Sequence, residues 1–186
     1  PAVDAPGTAA GSTHAARALE SPTKKLEEAA RAMRGRLVTS IAFLIPLFYL
    51  GMGHMLGWPL PAFFGALENI MNLALTELLL LAPILYVNDA YFKNGFKSLV
   101  HGAPTMDALI AIGATASVAW SIYGIYRIGA ALAVGDIHAA HALGMDNLYL
   151  ESAGTILSLV TVGKYLETRS KSKTGGAIEA PIDLAP

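Results

Sequence analysis

Residues 148–173 read LYLESAGTILSLVTVGKYLETRSKSK, a mostly apolar run with Glu151 near its start, Glu167 at its end and a basic tail behind it. About 20 residues rising ~1.5 Å each cross a hydrocarbon core of ~30 Å, so the run predicts a membrane-spanning helix. Acids are costly in a bilayer, and placed along a span they point to the path of a charged substrate. Glu151 and Glu167 are separated by about 24 Å along a helix axis and roughly 160° around it. They cannot hold one ion together, so they mark two ends of a route.

The rest of the chain has the same character. Its 186 residues are 54% hydrophobic and 15% charged, too apolar for an ordinary soluble domain of this size. The apolar residues are clumped, which predicts an all-α, polytopic membrane protein fragment with four transmembrane helices, over 37–57, 71–88, 105–127 and 147–167. Residues 1–20 are rich in Ala, Gly, Ser and Thr and read as a flexible linker. Ser21-Pro22 then offers a cap and a first helical residue for a charged lead-in helix over 21–36. Of the 13 Lys and Arg residues, all but Arg127 lie before the first span, between the second and third, or at and beyond the end of the fourth. That bias places both termini in the cytoplasm. With no cysteine, the chain can form neither a disulfide nor a thiolate metal site of its own. No nucleophile–base arrangement is visible, and Gly175-Gly176 lacks the surroundings of a phosphate loop.

Pro46 and Pro83 fall inside spans one and two, where each is expected to kink its helix. Ala108, Ala111, Gly113, Ala114 and Ala116 on span three are small enough for neighbouring backbones to approach closely, so this span is expected to pack inside the bundle. Residues 89–103 form an amphipathic segment, with Phe92, Phe96, Leu99 and Val100 on one face and Lys93 and Lys97 on another. It reads either as a passive interfacial helix or as a docking ledge for a soluble partner. Met106, beside Asp107, opens span three at the depth where Glu167 closes span four. A thioether and a carboxylate together can receive a soft cation such as Cu(I), although packing explains the one and pairing with Arg169 or Lys171 the other. Glu77 is expected to be a bundle-facing hydrogen-bonding group. His138 and His141 are spaced i, i+3 in the outer loop, and the weight of expectation there is against a specific site.

Two segments carry a family resemblance. Lys93-Asn94-Gly95-Phe96-Lys97-Ser98-Leu99, followed by Ala103-Pro104-Thr105-Met106-Asp107-Ala108-Leu109-Ile110-Ala111-Ile112-Gly113, resembles the approach to the third membrane helix of copper-exporting heavy-metal (type IB) P-type ATPases. Leu148-Tyr149-Leu150-Glu151, with Gly163-Lys164-Tyr165-Leu166-Glu167 and Lys173-Thr174-Gly175-Gly176-Ala177-Ile178, resembles their fourth helix and the start of the actuator domain. The resemblance covers about residues 35–186. It implies that Met106 and Glu167 form the cytosolic copper entrance, that Glu151 is the acid of extracellular release, and that the segment around Lys93 and Lys97 is a platform for a copper chaperone or metal-binding domain. Where better-known members have a double glycine that kinks the second helix, this chain has Val87-Asn88.

The expected protein is therefore the N-terminal membrane portion of an ATP-driven Cu(I) export pump. Residues 168–186 would be the truncated start of the actuator domain. ATP and Mg would serve only the parent protein, because the Asp-Lys-Thr-Gly-Thr, Thr-Gly-Glu and Cys-Pro-Cys motifs are absent here. No catalytic residue is expected in this segment. The expected partners are the lipid bilayer, the remaining ATPase domains and a copper chaperone, with no nucleic acid. The location is a cell membrane, multi-pass, of bacterial plasma-membrane type. Two rivals stand: a zinc- or cadmium-type pump of the same superfamily, and a non-enzymatic membrane scaffold or metal-sensing subunit.

Overall fold

The computed structural model describes residues 22–179 except His54 and Leu60. The linker expected at residues 1–20 lies outside them. The described chain contains no strand. Its helices are α1 (Pro22–Gly53), α2 (Ala62–Gly65), α3 (Ile70–Val87), α4 (Asp89–Val100), α5 (Met106–Ala133), α6 (Ile137–Asn147) and α7 (Leu150–Glu179), with a 3-10 turn at Leu67–Asn69 before α3. The chain divides into two units, one of Gly35–Val162 and one of Pro1–Arg34 with Gly163–Pro186.

Among the described residues, three helical stretches are long and apolar enough to cross a membrane: Glu28–Gly53, Leu67–Val87 and Met106–Ala133. The fourth expected span falls on the first part of α7, whose later turns carry Lys164, Glu167, Arg169 and Lys171. In the connection expected as an outer loop between the last two spans, α6 forms instead. Asp136 starts it, its side chain accepting a hydrogen bond from the Ala139 amide at 2.9 Å, as an N-cap does.

Within Gly35–Val162, two apolar clusters hold the helices together. One joins Leu47, Leu81, Ile84, Ile110, Leu150 and Leu157; the other joins Leu50, Ile70, Leu73, Ile128 and Ala140. Lipid tails are as apolar as these side chains, so close fit rather than escape from water must favour such packing. Ala108, Ala111 and Ala114 are buried along one face of α5, as their spacing predicts, whereas Ala116 is exposed. The face of α4 that packs inward is not the Phe/Leu stripe, although Phe92 packs against the core. Tyr91 and Gly95 are its buried residues, while Phe96, Leu99 and Val100 are exposed. A glycine at that position lets α4 close directly onto the α5 backbone: a Cβ on Gly95 would stand 2.4 Å from the Asp107 carbonyl oxygen.

The α3–α4 corner forms without glycine. Asn88 links the two helices at φ −107°, ψ 16°, an ordinary conformation for an L-residue. The side chain fastens the corner. Its Nδ2 donates to Ser40 Oγ on α1 at 2.8 Å and to the Ile84 carbonyl at 2.9 Å. Its Oδ1 accepts from Thr161 Oγ1 on α7 at 2.8 Å, and the Tyr91 hydroxyl lies 3.3 Å from that same Oγ1. All four side chains are buried, so one asparagine ties α1, α3, α4 and α7 with each of its hydrogen-bonding groups used.

Candidate functional site

Glu151 sits in the first turn of α7, where the amide end of a helix favours negative charge. The start of that helix is pinned to α5, because the Tyr149 amide donates to Ser121 Oγ at 2.8 Å. Ser152 Oγ donates to Glu151 Oε1 at 3.2 Å. Glu151 is only 9% exposed, so it does not snorkel to the surface of this chain. It lies against α1 at Gly51, where a built Cβ would meet its Cγ and Oε2 at 3.2 Å.

Glu77 is 1% exposed and lies on the α3 face that the sequence predicts to point inward. It faces a recess of about 10 Å³ shared with Leu50, Gly51, Leu73, Gly144, Met145 and Leu148. Its Oε2 has no hydrogen-bond partner among the described residues, and Gly51, on which Glu151 packs, lines the same recess. Sequence reading placed these acids separately and passed over Met145. Nothing in the spacing of α3, α6 and α7 announces their meeting, because it depends on the α6 that forms between the last two long helices.

Met106 and Glu167, the residues expected at an entrance, belong to different units. Met106 is the first residue of α5 and is 59% exposed. Glu167 belongs to the other unit and is paired along α7 with Lys171, Nζ to Oε1 at 2.6 Å. That pairing is one the sequence allowed. His138 is exposed and His141 partly buried on α6. Among the described residues, no three His, Asp or Glu side chains converge as a metal cage.

On α4, Lys93 bonds Asp89 at 2.5 Å one turn earlier, while Lys97 is exposed beside a shallow pocket with Asn94, Ser98, His101 and Ala103. The hydrogen bond from Lys93, assisted by its charge, holds the Asp89 carboxyl below its usual range and raises the Lys93 ammonium above its own. A depressed acid adds stability that is present above the unfolded value, near 3.9, and lost as pH falls through the lower folded value. An NMR titration of the Asp89 carboxyl is expected to show a midpoint under about 3.9, returned upward by Lys93→Met. An unchanged midpoint would show that the pair does not persist in solution.

The chain is similar over most of its length to copper-transporting ATPases. It is 34% identical over 155 residues to a protein of Enterococcus hirae described as "Probable copper-importing P-type ATPase A", covering 83% of this chain and 19% of that protein. It is 34% identical over 171 residues to a copper-transporting P-type ATPase of Rhizobium leguminosarum, covering 90% and 18%. A copper-exporting P-type ATPase of Staphylococcus saprophyticus is 28% identical over 166 residues, covering 89% and 18%. The chain thus spans about a fifth of the length of these relatives. No family model matches it, and no solved structure matches it.

Proposed function

On the premise that the chain is a relative of the copper-transporting P-type ATPases, matching one segment of them, we propose that it is the membrane portion of an ATP-driven Cu(I) export pump. One observation carries the reading: the similarity runs through 83–90% of the chain. The fourth span is the first part of α7, and the termini and the α4 platform are cytoplasmic, as the basic residues require. The location is a bacterial plasma membrane. ATP hydrolysis with Mg, and the aspartate it phosphorylates, belong to domains outside this segment.

In this reading Met106 supplies a thioether and Glu167 a carboxylate to an arriving Cu(I), a combination suited to a soft monovalent ion. The exposure of Met106 suits an entrance better than a packing role. Lys171 competes for Glu167 while no ion is present, and an exposed pair of this kind is worth little, so exchange is cheap. Glu151, buried and remote along α7, receives the ion at the exit. Lys97, with Lys93, offers positive charge on the platform to an acidic face of a copper chaperone or metal-binding domain.

The test is Cu(I)- against Zn(II)-stimulated ATPase activity of the full-length protein, with vesicle uptake giving direction. Copper stimulation is expected, with uptake into inside-out vesicles. Met106→Ala and Glu167→Gln are each expected to reduce it about tenfold, the scale at which lost metal-site groups act. Zinc stimulation without copper stimulation overturns the copper reading. Full copper activation in both variants overturns the entrance.

A further inference from the structure

We infer that Glu77 and Met145 complete, with Glu151, a release station for a soft monovalent cation at the exit end of the membrane region; the inference rests on the pump reading above. Three observations meet there. Glu77 is buried to 1% exposure, and its Oε2 lacks a partner among the described residues. A carboxyl oxygen left so in a protein interior is costly unless something else engages it. Glu77 and Met145 line the same recess, of about 10 Å³, roughly the space of a single water or ion. Glu151 packs on Gly51, which lines that recess too.

The donor set favours one class of occupant. The recess is lined by one carboxyl, from Glu77, and one thioether, from Met145, with the Glu151 side chain against its Gly51 wall; lacking nitrogen and thiolate ligands, it is a poor site for zinc, which prefers them in fours. Calcium and magnesium need six or more oxygens. Thioether sulfur selects Cu(I) among biological ions, and Cu(I) is satisfied by few ligands. The set is also weak, which suits an exit: an ion must leave what it binds. Gly144 holds Met145 in place, because α6 lies so close to α3 that a Cβ at this glycine would stand 2.3 Å from Ile70 Cγ1.

Silver(I) serves as a redox-inert probe, and peroxide oxidation of methionine to sulfoxide reports whether each thioether is occupied. In the full-length protein, Ag(I) is expected to reduce Met145 sulfoxide about tenfold by mass spectrometry, a metal-site effect of ordinary size. Met55, 72% exposed, is the internal control and should oxidise equally with and without silver. Glu77→Gln, which keeps the side chain's shape, is expected to abolish the protection. Met145→Leu, nearly volume-conserving, is expected to slow copper transport about tenfold with an unchanged melting temperature. Equal Met145 oxidation with and without Ag(I), protection that survives Glu77→Gln, or full transport by Met145→Leu would each overturn the station. Copper-stimulated ATPase activity of wild type is read beside these. Its absence sinks the pump reading, whereas its presence without protection of Met145 sinks the station alone.

Discussion

Gly95→Ala is expected to destabilise the protein by about 3 kcal/mol, the upper end of what overpacking costs. The added Cβ would lie 2.4 Å from the Asp107 carbonyl oxygen, 2.9 Å from its carbonyl carbon and 2.8 Å from Ala111 Cβ. None of these atoms can swing aside by changing a rotamer, so α4 and α5 must part. Alanine would gain about 1 kcal/mol of helix propensity over glycine, which is not enough to offset that separation. Two comparisons isolate the cause. At Gly163 nothing lies within 4 Å of a built Cβ, so Gly163→Ala should be neutral or slightly stabilising. At Gly144 the approach is shorter, 2.3 Å, to the Cγ1 of Ile70, a β-branched and buried side chain that cannot easily swing away, so Gly144→Ala should be costly too. SDS titration followed by Trp58 and Trp120 fluorescence measures all three. A Gly95→Ala midpoint equal to that of Gly163→Ala would show that the α4–α5 contact is not as close as described. Because Asp107 follows Met106, parting these helices also moves the proposed entrance, and copper activation should fall with stability.

These particulars show what the sequence makes legible. The buried face of α5 was readable because Ala108, Ala111 and Ala114 repeat at a helical interval and are small. The inner face of α4 was not, because its deciding residue is Gly95, and an absent side chain leaves no mark in a hydrophobic pattern. Glu77 and Glu151 are each legible singly. Their placement depends on how α3, α6 and α7 pack, and α6 lies in a stretch expected as a connection, although its Asp136 cap and its alanines favour a helix. Met106 and Glu167 are legible from their chemistry, a thioether and a carboxylate at the ends of consecutive expected spans.

Asn88→Leu is expected to cost about 2 kcal/mol, within the range for stranding buried hydrogen-bonding partners. Leucine keeps the same number of side-chain heavy atoms and the same branching but is bulkier, so lost bonds and some overpacking act together. Ser40 Oγ and the Ile84 carbonyl would lose a donor, and Thr161 Oγ1 would lose one of its two acceptors, keeping the Leu157 carbonyl. Hydrogen bonds between membrane helices average only ~0.6 kcal/mol, but this residue makes several, in one buried cluster where each bond polarises the next. Asn88→Gly is the sharper variant. Glycine supplies the backbone freedom that the related pumps use at this corner, yet the native φ of −107° needs none of it. The glycine variant should therefore be weakened much as the leucine one is. Thr161→Val supplies the second arm of a cycle: with Asn88→Leu it should cost less than the sum of the single changes, since both remove one shared bond. Additive costs, or an Asn88→Gly protein as stable as wild type, would mean that backbone geometry alone holds the corner. If the costs fall short of additivity, the asparagine does by hydrogen bonding what the double glycine does by conformation. The platform bearing Lys93 and Lys97 is then set by a fixed polar joint that also anchors α1 and α7, so a load on α4 is passed directly to the helix carrying Glu151.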